Sequence, residues 1–177
     1  RYFFLREMSF GNDAKFSEDV IIDRINFDLA NDWGNLVNRT VNMLGKFFNG
    51  SMPAFNPAEP ADRDDLIARF TAASADYIAL ARKFQTSAGL EKLWEFIRHL
   101  NKYIDTLKPW QLAKDNDTTR LSSVMRNLLE AIYSISVLLS PVLVSSSAAI
   151  IAALGAEGKP RDTKTLASFS NLEDGRA

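Results

Sequence analysis

Apolar residues recur at helical spacing along most of the chain. Ile25, Leu29, Trp33, Leu36, Met43 and Phe47 follow one another at steps of three, four or seven, which places them on one face of a single long helix. Ser17 is suited to cap its start, with Glu18 and Asp19 in the first turn, where carboxylates favour the helix dipole. Asn49-Gly50 is a stop signal, and Gly34 is a soft point within the helix. Residues 51–62 contain Pro53, Pro57 and Pro60 and read as a loop. A second helix is predicted from about Arg63 to Arg82, burying Leu66, Phe70, Ala73, Tyr77, Leu80 and Ala81. A third starts near Ser87 and carries Leu90, Leu93, Trp94, Ile97, Leu100, Ile104 and Leu107 on one stripe. Pro109 ends it, because proline lacks the amide hydrogen and pushes the preceding residue out of the α region. A fourth helix is read over about Thr119 to Leu139, with Leu121, Val124, Leu128, Ile132, Ile135 and Leu139 buried. Pro141 breaks it, and a last helix reaches Leu154, with Gly155 suited to a left-handed cap. Beyond Gly155 the chain is polar and has no strong period. No strand alternation or hairpin turn stands out. The predicted fold is all-α, an antiparallel bundle of about five helices.

Composition narrows what such a bundle does. At 177 residues and 46% hydrophobic content the chain buries a real core, and a formal net charge of -1 argues against a broad phosphate-gripping surface of the kind used on DNA. Any RNA contact is expected to be local, with few phosphates neutralised, or to depend on a second domain. There are no cysteines and a single histidine, His99, which excludes disulfides and thiolate zinc sites and is compatible with the cytoplasm. The first residues, Arg1 to Glu7, do not form a signal peptide, and the chain begins in mid-pattern as a piece of a longer protein would. The uncharged stretch from Ala131 to Ala156 is long enough to span a bilayer, but Pro141 and six serines make two buried helices the better account.

Catalytic chemistry is mostly missing. Gly155-Ala156-Glu157-Gly158-Lys159 has the wrong glycine spacing for a phosphate loop, and Pro160 stands where Ser or Thr is needed. His99 has no nucleophile near it in sequence and reads as a solvated surface residue. Asp64-Asp65 are helix N-terminal charges, and Glu91 and Glu95 lie on an exposed face. Nothing assembles a nucleophile, a base and an oxyanion site. No metal site or cofactor is expected within this chain.

Two features resist a purely structural account. Asp28, Asn31, Asp32, Asn35, Arg39, Asn42 and Lys46 form a polar band on the first helix, with Asn38 at its edge. Asparagine is a mediocre helix former, and asparagine amides with an arginine fork also read base edges. The same groups bond across helices, so chemistry alone leaves recognition and a structural polar face both open. Lys108-Pro109-Trp110 sits at a helix break, where the indole is either core or a rigid stacking platform for a base. Trp94, within an apolar stripe, reads as core.

Three segments together resemble methionyl-tRNA synthetases, a family of class I aminoacyl-tRNA synthetases. "RYFFLREMSFGND" followed by "FSEDVIIDRINFDLANDWGNLVNRT" is similar to the passage that leaves the catalytic domain and enters the anticodon-binding bundle. "LNKYIDTLKPWQLAK" resembles the family's Pro-Trp corner, and "LLSPVLVSSSAAIIAALG" its Leu-x-Pro turn and final helix. The resemblance spans about residues 1 to 155. It implies recognition of the methionine anticodon, CAU, with Asn35 and Arg39 meeting the bases, chiefly the first cytosine, and Trp110 at the Pro109 corner stacking on an unpaired base. Asn31, Asn38, Asn42 and Lys46 are implied as supporting RNA contacts. By domain, residues 1–16 would be a remnant of the stem-contact region, 17–155 the anticodon-binding bundle and 156–177 a polar C-terminal tail.

The class I signatures His-Ile-Gly-His and Lys-Met-Ser-Lys-Ser are absent, as are the cysteines of the family's zinc knuckle. Adenylation with ATP, methionine and Mg2+, and any zinc, would therefore belong to the catalytic domain of the full-length enzyme. That domain and the methionine tRNA anticodon loop are the expected partners, in the cytoplasm, with neither membrane nor DNA involved. Two other readings keep the helical fold: a protein-interaction module bonding a partner through the asparagine face, and the anticodon-binding domain of another class I synthetase.

Overall fold

The computed structural model describes residues 1–8, 17–54, 60–159 and 161–175. Its helices are α1 (Tyr2–Glu7), α2 (Glu18–Arg24), a π-helical segment (Ile25–Gly34), α3 (Asn35–Phe48), α4 (Pro60–Arg82), α5 (Thr86–Leu107), α6 (Pro109–Lys114), α7 (Thr118–Leu139), α8 (Val144–Ala153) and α9 (Thr163–Ala167). No strand occurs among the described residues, and the fold is all-α, as the periodicity predicts. Of the predicted loop at 51–62, residues 55–59 with Pro57 lie outside the described residues, as does Pro160, whereas 60–62 belong to α4, with Pro60 at its start, where a missing N–H costs nothing.

The predicted stops and starts act through their expected chemistry. Ser17 Oγ accepts from the Val20 amide at 3.4 Å, satisfying a free N–H of the first turn. Asn49 takes the left-handed conformation at the end of α3, with φ 53°, and Gly50 follows at φ 82°. Lys108, at φ 48°, turns the chain from α5 into α6, and Pro109 occupies the first turn of α6, where its missing N–H costs nothing.

The long first helix departs from the expected pattern at its centre. The π-helical segment carries more residues per turn than an α-helix, so positions counted at 3.6 residues drift off their face. Ile25, expected in the apolar stripe, is 45% exposed, whereas Asp28, expected in the polar band, is 4% exposed. Asp28 has the partners that a buried carboxylate needs: the Tyr2 hydroxyl, Arg6 Nε at 3.2 Å and Arg24 Nη1 at 3.5 Å. Gly34 closes the segment, and a Cβ there would lie 2.8 Å from the Leu29 carbonyl oxygen, so the close approach requires glycine.

This helix lies beside α5 in constant register. Trp94 Nε1 donates to the Asp28 carbonyl at 3.3 Å, Asn35 Nδ2 donates to Asn101 Oδ1 at 3.4 Å, and Arg39 Nη2 to Asp105 Oδ1 at 2.6 Å, each pair 66 residues apart. The Arg98–Asp32 ion pair at 3.6 Å keeps the same offset. A constant offset over steps of four, three and four means that the two helices run parallel, and α4, between them in the chain, packs against α5. The core between them includes Trp33, Leu36, Leu93, Trp94, Ile97 and Leu100, all at most 4% exposed.

α7 is the most enclosed helix, buried at every residue from Ser123 to Leu139. That explains the uncharged stretch beginning at Ala131, and no helix among the described residues is long and apolar enough to cross a membrane. The segment after Gly155 is polar and aperiodic, yet Leu166, Phe169 and Leu172 are buried in the core, with the Phe169 ring 5.7 Å from that of Phe70. Arg63 donates to the Ser168 and Phe169 carbonyls at 3.0 and 2.7 Å. Buried Glu130 accepts from the Asn171 amide at 3.0 Å and the Leu172 amide at 2.9 Å. Together with Arg126, which bonds the Leu172 carbonyl, these charged side chains and three apolar ones tie down a polar-looking segment.

His99 is half-buried between α4 and α5 rather than solvated, with Nε2 3.8 Å from Asp65 Oδ2. Burial lowers its pKa, and the nearby Arg69 and Lys102 act in the same direction while Asp65 opposes them. Between the folded and unfolded pKa values the unfolded chain binds more protons. The contribution of His99 to stability is thus present above its unfolded pKa, about 6.5, and is lost as pH falls through the folded value. We expect the melting temperature of wild type relative to His99→Gln to decline between pH 7.5 and pH 5. A difference that does not change with pH in paired thermal melts would rule this out.

Candidate functional site

The sequence-predicted residues fall on two elements that touch. Asn31, Asn35, Asn38, Asn42 and Lys46 are exposed along the π-helical segment and α3, and Arg39 is partly exposed among them. α6, which carries Trp110, packs against α3 and directly continues α5. Trp110 is 39% exposed, among the large apolar side chains left on the surface. Its neighbour Pro109 is buried, so it fixes the corner and does not present a face to solvent. Trp94, by contrast, is fully buried and packs 5.0 Å from the Tyr2 ring.

Along the seam of α3 and α5, Asn35 and Arg39 stand one turn apart, each held from α5. Asp105 engages Arg39 through one nitrogen; the carboxylate is 63% exposed and the guanidinium side chain 27% exposed. An arginine has five N–H donors in a rigid fork, so this contact restrains the fork and leaves donors available. Asn101 makes the corresponding contact with Asn35, and its own Nδ2 donates to the Asp32 carbonyl at 3.0 Å. Farther along, Asn42 Nδ2 donates to Asn38 Oδ1 at 3.2 Å, and Lys46 Nζ lies 5.5 Å from the Phe47 ring centre.

Of the two accounts of the asparagine band left open by the sequence, the structural one holds for Asn35 and Arg39. Asn35 and Arg39 bond across helices, and the same bonds set an amide and a guanidinium side by side at the surface. Asn101 and Asp105 lie in the segment LNKYIDTLKPWQLAK, but nothing in the sequence marks them as partners of Asn35 and Arg39. The signal for them was the 66-residue offset, which emerges only once the helix register is known.

Ionic contacts extend from the seam toward the N-terminal segment. Arg6 bonds both Asp28 and Glu91, Glu91 also bonds Arg98, and Arg98 pairs with Asp32. Desolvation raises the Asp32 pKa, with Arg98 opposing the shift. Among the described residues no group of three or more His, Cys, Asp or Glu is placed to hold a metal ion.

Comparison with known proteins shows what this chain is similar to. A family model described as "tRNA synthetases class I (M)" matches residues 1–41. Methionine–tRNA ligase of Listeria monocytogenes is 43% identical over 157 residues, covering 88% of this chain and 24% of the relative. That of Thermotoga maritima is 38% identical over 160 residues, covering 90% of this chain and 25% of the relative. Among solved structures, the apo form of Mycobacterium tuberculosis methionyl-tRNA synthetase superposes with a TM-score of 0.86 at 29% identity, covering 99% of this chain and 36% of that one. The same enzyme in complex with methionyl-adenylate superposes with a TM-score of 0.86 at 32% identity, covering 99% and 35%. The chain spans about a quarter of the length of the curated relatives it matches. Shared sequence over nearly nine-tenths of the chain and a shared fold over almost all of it lead to one conclusion: this chain belongs to the methionyl-tRNA synthetase family.

Proposed function

We propose that this chain is the anticodon-binding part of a longer methionine–tRNA ligase and reads the CAU anticodon of methionine tRNA at the seam of α3 with α5 and α6. The observation that carries this is the pair Asn35 and Arg39, one turn apart and each held from α5, beside an α6 that leaves Trp110 part-exposed. RNA loops are read by bases splayed from the stack, hydrogen-bonded at their edges and stacked on aromatics. The seam supplies both kinds of contact, and few phosphates need be neutralised, which suits a net charge of -1. Asn31, Asn38, Asn42 and Lys46 would flank the loop. ATP, methionine and Mg2+ would be handled by the catalytic domain of the longer protein, acting in the cytoplasm; the described residues bring together no ligand set for a metal ion.

Arg39→Ala tests the assignment. An exposed ion pair with Asp105 contributes little to folding, so the variant should fold normally. It should lose about 1–3 kcal/mol of affinity for a CAU stem-loop if Arg39 meets a base edge, and less for a loop with a changed first base. Lys46→Ala, removing a phosphate contact, should weaken all loops alike. Fluorescence anisotropy with labelled stem-loops reads both, and an Arg39→Ala loss equal for every loop would contradict base reading by Arg39.

A further inference from the structure

We infer that Asn101 is a positioning residue that fixes which way the Asn35 amide points, and so makes the site select a base carrying an amino group over one carrying a keto oxygen. The inference rests on the anticodon reading above and deepens it. On one side Asn101 faces two main-chain carbonyls, Asp32 O at 3.0 Å and Ile97 O at 3.4 Å. Carbonyls only accept, so the amide nitrogen of Asn101 must lie on that side and its oxygen on the other. That oxygen faces Asn35, which must therefore turn its own nitrogen inward to donate, as it does at 3.4 Å. The two arms of an amide point apart, so Asn35 Oδ1 is left facing solvent as an acceptor.

A free asparagine on a helix surface presents either arm and discriminates poorly. Locked by Asn101, Asn35 offers an acceptor, and Arg39 one turn farther offers only donors. An acceptor next to donors complements the edge of cytosine, whose 4-amino group donates while N3 and O2 accept. Uracil reverses the first two positions, with O4 accepting and N3–H donating. It would set its O4 against Asn35 Oδ1 and its N3–H against the guanidinium. The selectivity thus originates two steps from the base, in a carbonyl at the end of the π-helical segment.

The test compares CAU and UAU anticodon stem-loops bound to wild type and to Asn101→Ala, with thermal melts confirming that each folds. Wild type should prefer CAU by roughly tenfold or more, the scale of one well-formed base contact. Asn101→Ala frees the Asn35 amide to flip and should bring the two loops close to equal affinity. A wild type that prefers CAU, with the same ratio kept in Asn101→Ala, would overturn the inference and leave the anticodon reading intact. A wild type that binds both loops equally, or neither, would overturn the reading and the inference with it.

Discussion

Glu130→Ala is expected to lower folding stability by about 3–5 kcal/mol, the cost of removing one partner from a buried charge pair. For a domain of this size that corresponds to a fall in melting temperature of roughly 6–20 °C. Glu130 is 0% exposed. Its two oxygens accept from the Asn171 amide, the Asn171 side chain at 3.2 Å and the Leu172 amide, and Arg126 Nε lies 3.3 Å away. Alanine would leave those donors buried without an acceptor and Arg126, 4% exposed, without its inner carboxylate. Arg126 also holds the Pro53 carbonyl at 3.0 Å, the Leu172 carbonyl and Asp174, so the loss would spread to both chain segments that cross α7. Glu130→Gln, which keeps the shape and one acceptor, should fall between the two. Thermal melts followed by circular dichroism decide the matter, and a Glu130→Ala melting temperature near that of wild type would refute this account of the C-terminal segment.

Trp110→Ala should leave the melting temperature nearly unchanged yet remove about 1–3 kcal/mol of stem-loop binding, the contribution of one stacked base. The part of the indole that is exposed is the part available to a base, while Pro109 and the left-handed Lys108 hold the corner without it. Every base has a π face, so the loss should be similar whichever base stands first in the anticodon. That distinguishes Trp110 from Arg39 and Asn35, whose loss should depend on base identity. Anisotropy titrations of Trp110→Ala against CAU and first-base variants provide the check, and unchanged affinity would remove Trp110 from the site.

Where the chain punctuates itself with strong local chemistry, the fold was legible. Ser17, Asn49-Gly50, Pro109, Pro141 and Gly155 each end or begin an element for a reason confined to their own backbone. The π-helical segment was not legible, because counting at 3.6 residues assumes the helix it replaces. Asp28 and Ile25 changed places as a result. Residues 161–175 were hidden for another reason: Leu166, Phe169 and Leu172 are too few and too irregular to show a period, and the side chains that hold them, Arg63, Arg126 and Glu130, lie 41 to 106 residues away. α6 is only six residues long and merged with the corner. For the site, the residue types and the i, i+4 spacing of Asn35 and Arg39 were readable. Asn101 and Asp105 were not, since a cross-helix partner depends on how two helices are set against each other.

The central claim is that this seam reads an anticodon, and the most direct measurement is binding of the chain to a methionine tRNA anticodon stem-loop beside one whose first cytosine is replaced, at low and moderate salt. Tighter binding of the CAU loop, with the preference maintained as salt weakens both, is the predicted result. Equal binding of the two loops at every salt concentration would contradict it.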